Sequence, residues 1–218
     1  MARPIRIDFV SDIACPWCVI GLAALGEAIA RVGAAAAVEL HLQPFELNPA
    51  IPAQGEDADE HLLRKYGMPR EQLERNRETI RERGAALGFR FGKRTRVCNT
   101  FDAHRLLHWA GTLGAAEQLA LEWALLRAWH GEDADVSDAA VLRDIVQRAG
   151  LDAARAAQVL AGGEFGAAVR AREQYYLDRG IHGVPAVIFD ERSLISGAQP
   201  VEVFERALRE LAGGALPQ

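Results

Sequence analysis

Apolar residues recur along the chain at two spacings, and the switches between them mark out strands and helices. In "IRIDFVSD", Ile5, Ile7 and Phe9 share one face and Val10 follows, which predicts a short, mostly buried strand. From Pro16 the period lengthens. Ile20, Ala24, Ala28 and Val32 fall on one stripe, Leu25 and Ile29 lie beside it, and Gly33 closes a predicted helix. "AVELHLQPF" then alternates Val38, Leu40 and Leu42 against Glu39, His41 and Gln43, a second strand stopped by Pro44 and the turn-forming "NPAIP". The opening therefore reads as a βαβ unit.

The middle of the chain, from about Glu56 to Asp178, shows helical periodicity and little strand character. Pro69 suits the first turn of a helix carrying Leu73, Ile80 and Leu87. Asn99 or Thr100 can cap a helix with Ala103, Leu106, Leu107 and Ala110 inward, and Leu119, Trp123, Leu126 and His130 repeat at helical spacing. Ser137 can cap "DAAVLRDIVQRAG", which Gly150 ends. Strand character returns in "GVPAVIFDERSLIS", a hairpin around Asp190, Glu191 and Arg192. A last helix starts near Pro200, carries Val203, Ala207 and Leu211 on its stripe, and stops at Gly213. The simplest packing is an α/β fold: one mixed sheet from residues 1–55 and 179–218, with residues 56–178 as a helical insertion in the crossover.

Composition adds limits. Half of the 218 residues are hydrophobic and a quarter charged, ordinary for a globular protein with a full core. A net charge of −5 argues against a dedicated nucleic-acid surface. The local exception, "RFGKRTR" at residues 90–96, reads as a solvated loop, with an anion or thiol-tripeptide contact as its alternative. By eye no stretch approaches the roughly 20 apolar residues of a membrane helix, and no secretory signal precedes Ile5, so a cytosolic protein with no membrane contact is expected.

The chemistry concentrates at Cys15 and Cys18, separated by Pro16 and Trp17. A metal clip, a structural disulfide and a redox dithiol all begin with such a pair. Zinc needs a tetrahedral set, and beyond this pair only Cys98 and six histidines remain, none at knuckle-like spacing. His104 and His108 stand at i, i+4, but Arg105 holds the place of a zincin's glutamate, so no metal site is expected. With three cysteines a secreted disulfide scaffold is also a poor fit. For dithiol exchange the arrangement suits: a helix start favours negative charge on Cys15, and Cys18 comes round to the same side of the first turn. Pro16 is tolerated there because its missing N–H has no intrahelical partner. Cys15 is then the exposed nucleophile and Cys18 the buried, resolving thiol. Trp17 is a candidate substrate surface or simple packing, and Cys98 an idle thiol. Asp12 either tunes Cys15 by charge or caps the coming turn.

"CPWC" after a strand, with "GVPAVIF" near the end, resembles the thioredoxin superfamily, and the hairpin of "VPAVIFDERSLISGAQP" with the helical insertion resembles its DsbA-like branch. Within that branch "DFVSDIACPWCVIG", "PFELNP" and "NTFDAHRLLHWA" are similar to FrnE-type cytosolic dithiol oxidoreductases. The resemblance implies a thioredoxin-like mixed sheet and a cis peptide at Val184–Pro185 beside the disulfide, its backbone pairing with an extended substrate segment. Position alone leaves an ordinary trans proline equally open. The activity implied is thiol–disulfide exchange or isomerisation on a protein or small-molecule disulfide, with Pro185 shaping the site.

Kappa-class glutathione transferases and 2-hydroxychromene-2-carboxylate isomerases are similar around "PFELNP" and use glutathione. They typically carry serine where Cys15 stands and no cysteine where Cys18 stands, a departure that favours redox chemistry here. Carried across, Asn48, Val184, Ala198 and Gln199 lie where those relatives hold glutathione, and Asn48 serves equally as a turn residue. His104 and Arg105 match the family's "AHR" and face substrate or anchor the insertion. No tightly bound cofactor is implied; glutathione is the candidate co-substrate, and a homodimer the form of the glutathione-using relatives. A glutathione-dependent isomerase or transferase, or a chaperone-like binder using the helical cleft, is the rival reading.

Overall fold

The structure is a computed structural model and describes residues 3–52, 54–67 and 69–213. β1 (Ile5–Ser11) leads through α1 (Pro16–Val32) and a 3-10 turn at Gly33–Ala35 into β2 (Val38–Pro44). β2 runs parallel to β1, with Ile7 opposite Leu40 and Phe9 opposite Leu42, as a helical crossover allows. Next come β3 (Glu56–Asp57), α2 (Ala58–Tyr66), α3 (Arg70–Ala86) and β4 (Arg96–Val97), then α4 (Phe101–Leu113), α5 (Ala115–Glu132), α6 (Ala139–Arg148), α7 (Ala153–Ala161) and α8 (Gly166–Leu177). The chain ends in β5 (Ala186–Phe189), β6 (Ser193–Ser196) and α9 (Val201–Ala212). The main sheet has the order β2-β1-β5-β6, with β5 antiparallel to both neighbours. The helical stretch thus joins the edge strand β2 to the central strand β5 of one mixed sheet. Residues 1–2 and 214–218, the outer ends of the expected sheet domain, lie outside the described residues.

Several local expectations shift, each for a visible reason. Asp138 rather than Ser137 caps α6, its carboxylate accepting the N–H groups of Ala140 and Val141, while the Ser137 hydroxyl turns back to Asp135. Thr100 is the N-cap of α4, but its hydroxyl is spent on Asp12 instead of the helix. Pro69 stands at the N-cap of α3, one place before its first turn. The buried face of α9 is Val201, Phe204, Ala207 and Leu208, since the helix starts at once after Pro200 and turns Val203 aside. Gln43, expected on a solvent face, is buried with its amide donating to Asp8 at 2.6 Å. The two-residue pairing of β3 with β4 is too short to leave an alternating pattern.

One expectation is corrected outright. Pro16–Ala35 is a 20-residue helical stretch of mean hydropathy 1.6, long and apolar enough by those measures to cross a membrane. Here it is the core helix: half of it is buried, and α1 packs on α9 and α3. One hydrophobic cluster runs from Phe9, Leu25, Phe189 and Phe204 through to Leu106, Leu125 and Trp129, so sheet and helical insertion share a core. Removing the Phe204 side chain, fully buried on α9, leaves a cavity under α1. Phe204→Ala is expected to lower unfolding free energy by about 3–5 kcal/mol in urea titrations.

Candidate active site

β1 delivers the chain to a tight turn in which the Cys15 N–H donates to the Asp12 carbonyl at 3.0 Å. Cys15 is the extended N-cap of α1 (φ −90°, ψ 112°), Pro16 fills the first helical position, and the Cys18 N–H closes the turn on the Cys15 carbonyl at 3.0 Å. Both thiols are free; Cys15 is 4% exposed and Cys18 fully buried. Burial pushes the Cys18 thiol well above the ordinary thiol range, and its hydrogen bond to the Cys15 sulfur adds to the shift. The Val184–Pro185 bond is cis, and the Val184 carbonyl accepts from the Cys15 thiol at 3.6 Å. Gly21, one turn into α1, lets the proline this close: a Cβ there would sit 3.0 Å from Pro185 Cγ and 3.6 Å from Ala198 Cα.

Beneath this turn lies a buried polar cluster. The Asp12 carboxylate accepts from Ala14 N (3.0 Å), Leu47 N (2.6 Å) and Thr100 Oγ1 (2.9 Å), and His104 Nε2 is 3.5 Å away. Asp12 therefore does cap the turn, and it also carries charge. Burial works against its ionised form, but His104 and the two backbone donors outweigh that and lower its pKa. Burial likewise opposes charge on His104, and Asp12 reverses the balance upward. Glu122 of α5 stands close by, fully buried, with one oxygen 3.4 Å from the Ser11 hydroxyl and the other unpartnered. Burial pushes its carboxyl up to about 7. His130, pushed down to about 3 by burial, is a neutral imidazole whose Nε2–H donates to the Ile13 carbonyl at 2.9 Å.

Cys15, Pro16 and Trp17 form one wall of a cavity of about 910 Å³ whose other walls come from α2, α3, residues 91–97 and the end of α5. The "PFELNP" segment is divided among four jobs. Phe45 joins a second small core with Val10 and Tyr176, and Glu46 pairs with Arg170 of α8. Leu47 binds Asp12, and Asn48 lines the cavity. The Asn48 side-chain oxygen accepts from Lys65 Nζ at 2.7 Å and sits 3.2 Å from His61 Nε2. Sequence reading passed over His61, Lys65 and Tyr66, because a charged helix looks the same whether it faces solvent or a cleft. In "RFGKRTR" the solvated reading fails at Arg94, whose guanidinium stacks 3.2 Å from the Trp129 ring centre, donates to the Trp129 carbonyl and is pushed down to about 10 by burial.

The remaining predicted residues are scattered. His104 is 2% exposed and lies outside the cavity with its Nε2 3.5 Å from Asp12, so it faces a buried carboxylate and not substrate. Arg105 does not tie the insertion to the sheet: it donates to the carbonyls of Val159, Gly162 and Glu164, all inside the insertion, and braces α4 against the end of α7. The Ala198 carbonyl accepts from Arg83, and the Gln199 amide donates to Ser196 O at 2.8 Å, so both groups expected at glutathione are engaged within the protein. Cys98 is buried beside Asp135 and Ser137, its thiol pushed up to about 12 mainly by burial. Among the described residues, no group of three or more His, Cys, Asp or Glu side chains is placed to hold a metal ion.

A cysteine pair opening a helix, with Cys15 facing the Val184 carbonyl of a cis Val184–Pro185 bond, and a β2-β1-β5-β6 sheet with a helical insertion define a thioredoxin-type fold of the DsbA kind. The chain belongs to the DSBA-like thioredoxin domain family, whose model matches residues 6–209. Among solved structures it is similar to a probable DsbA oxidoreductase from Streptomyces coelicolor (35% identity, TM-score 0.86, 96% of this chain and 90% of that one). It also resembles the cytosolic disulfide reductase DsbM from Pseudomonas aeruginosa (20%, 0.66, 96% and 100%). The fold extends to a 2-hydroxychromene-2-carboxylate isomerase (14%, 0.72, 96% and 97%). No curated protein matches the chain.

Glu122 provides a test of the buried cluster. A carboxyl whose folded pKa exceeds its unfolded value contributes stability that is present below pH 4.5 and lost as pH rises through about 7. Glu122→Gln is therefore expected to gain on wild type between these limits, by up to about 3 kcal/mol at pH 8 and almost nothing at pH 4. Urea unfolding at a series of pH values reads this difference directly.

Proposed function

We propose that the protein is a cytosolic thiol–disulfide oxidoreductase working through Cys15 and Cys18. The observation that carries the reading is the unequal pair itself: a cysteine at a helix start, and a partner held protonated by burial and by the first sulfur. Cys15 stands at the N-cap of α1 and lines the cavity, so it is the attacking sulfur once its proton has left. It displaces one sulfur of a substrate disulfide; an S–S bond forms to Cys15, and the leaving thiolate carries off the electron pair and takes a proton. The mixed disulfide removes the charge on Cys15 that held the Cys18 proton. Cys18 then loses that proton, attacks Cys15 and releases the second substrate thiolate. The substrate gains two electrons and the enzyme is left with a Cys15–Cys18 disulfide, which a thiol reductant resets; the reverse sequence oxidises a dithiol. Which way it runs depends on the potential of the pair against the cell's.

Glutathione is the thiol reductant we favour, because Asn48 and the Lys65 ammonium sit in the cavity beside Cys15. The DsbM structure solved with GSH is a precedent in a related fold. Burial lowers the Lys65 ammonium, while the charges of Asp12 and Cys15 hold it up, which suits a cation facing anionic groups. Cys15→Ser is expected to cut insulin or small-disulfide reduction by more than about a hundredfold, and Cys18→Ala to accumulate a mixed disulfide visible by mass spectrometry. Equal turnover by wild type and Cys15→Ser would remove the assignment. Lys65→Ala should raise the KM for glutathione about five- to tenfold with little change in kcat.

A further inference from the structure

Cys15, as the attacking sulfur, is oddly hard to reach. Only 4% of the residue is exposed, and an arginine from the insertion lies against Trp17 within its turn. Arg83 of α3 donates from Nη2 to the Ala198 carbonyl at 2.6 Å, and its guanidinium lies 5.3 Å from the Trp17 ring centre. It makes no ion pair with a carboxylate among the described residues, although the rest of α3 forms many. Its two contacts straddle the dithiol. Trp17 stands between the cysteines, while Ala198 follows Gly197, whose N–H donates to the Pro185 carbonyl at 2.8 Å. One side chain thus ties the insertion to both flanks of the Cys15–Pro185 site.

The other approach to Cys15 is the cavity of about 910 Å³. That volume suits a small molecule. A disulfide carried by a folded protein brings two backbone segments and their side chains, and it must still present its S–S bond in line with the attacking sulfur. It needs the open flank that Arg83 spans.

We propose that Arg83 is a specificity-determining residue: by bridging α3 to Ala198 across Trp17, it shields Cys15 from folded-protein disulfides and leaves it open to small disulfides entering the cavity. The inference rests on Cys15 being the attacking thiol. Its restraint is one charge-assisted hydrogen bond and one cation–π contact, enough to hold a flank closed yet weak enough to be removed by a single substitution.

The test uses Arg83→Met, which keeps the apolar stem, and Arg83→Lys, which keeps the charge, with two readouts. One is the ratio of kcat/KM for insulin to that for 2-hydroxyethyl disulfide. The other needs no exchange chemistry: in a chain whose Cys18 and Cys98 are changed to alanine, Cys15 is labelled with a 5-kDa maleimide polymer or with N-ethylmaleimide. Arg83→Met is expected to raise both large-to-small ratios about tenfold, with Arg83→Lys in between. Unmoved ratios in Arg83→Met, with Cys15→Ser inactive, overturn the latch alone. A Cys15→Ser chain as active as wild type overturns the latch and the oxidoreductase reading together.

Discussion

The carboxylate of Asp12 is the point on which the site hangs. It leaves the end of β1, turns inward and is fully buried, where an ionised group survives only if nearly every lone pair is used. Here the donors come from three directions: Ala14 in the turn before α1, Leu47 after β2, and Thr100 at the start of α4, with His104 Nε2 3.5 Å away. Each donor is a piece of chain that must be in place before Asp12 is satisfied. The turn that sets Cys15 at the head of α1 is thereby fixed to the insertion as well as to the sheet. His130 adds a second tie of the same kind, holding the Ile13 carbonyl from α5.

This bracing explains why the two sulfurs differ although they sit three residues apart. The turn leaves Cys15 at the helix start, facing the Val184 carbonyl and the cavity, whereas the first turn of α1 carries Cys18 into the core. Position on the helix sets the two sulfurs apart, and the Cys15 sulfur beside Cys18 widens the difference. The insertion then does more than cover the sheet. Its helices α2 and α3 and the 91–97 segment wall the cavity beside Cys15, and its Arg83 reaches over Trp17 to the far flank.

Much of this was legible from residues alone. Alternation in β1 and β2, the helical stripe of α1, the punctuation by Gly33 and Pro44, and the late hairpin give the βαβ and ββα ends with few errors. Caps were less secure, because Thr100 and Asp138 compete with neighbours for the same role and only packing decides which hydroxyl or carboxylate is free. The apolar strength of α1 was underestimated, since a core helix surrounded on most sides has no polar face to set its hydrophobic one in relief.

By itself the sequence determined the order of elements and the place of a CxxC pair between a strand and a helix, a local feature written in consecutive residues. What tertiary structure decided is everything that depends on long-range partners. His104 and Asp12, 92 positions apart by their numbers, become one ion pair. Lys65 and Asn48 meet on the wall of a cavity, and the Ala198 carbonyl accepts from Arg83 of the insertion. No periodicity records such meetings, because a charged helix reads the same whether its cations face water or a sulfur.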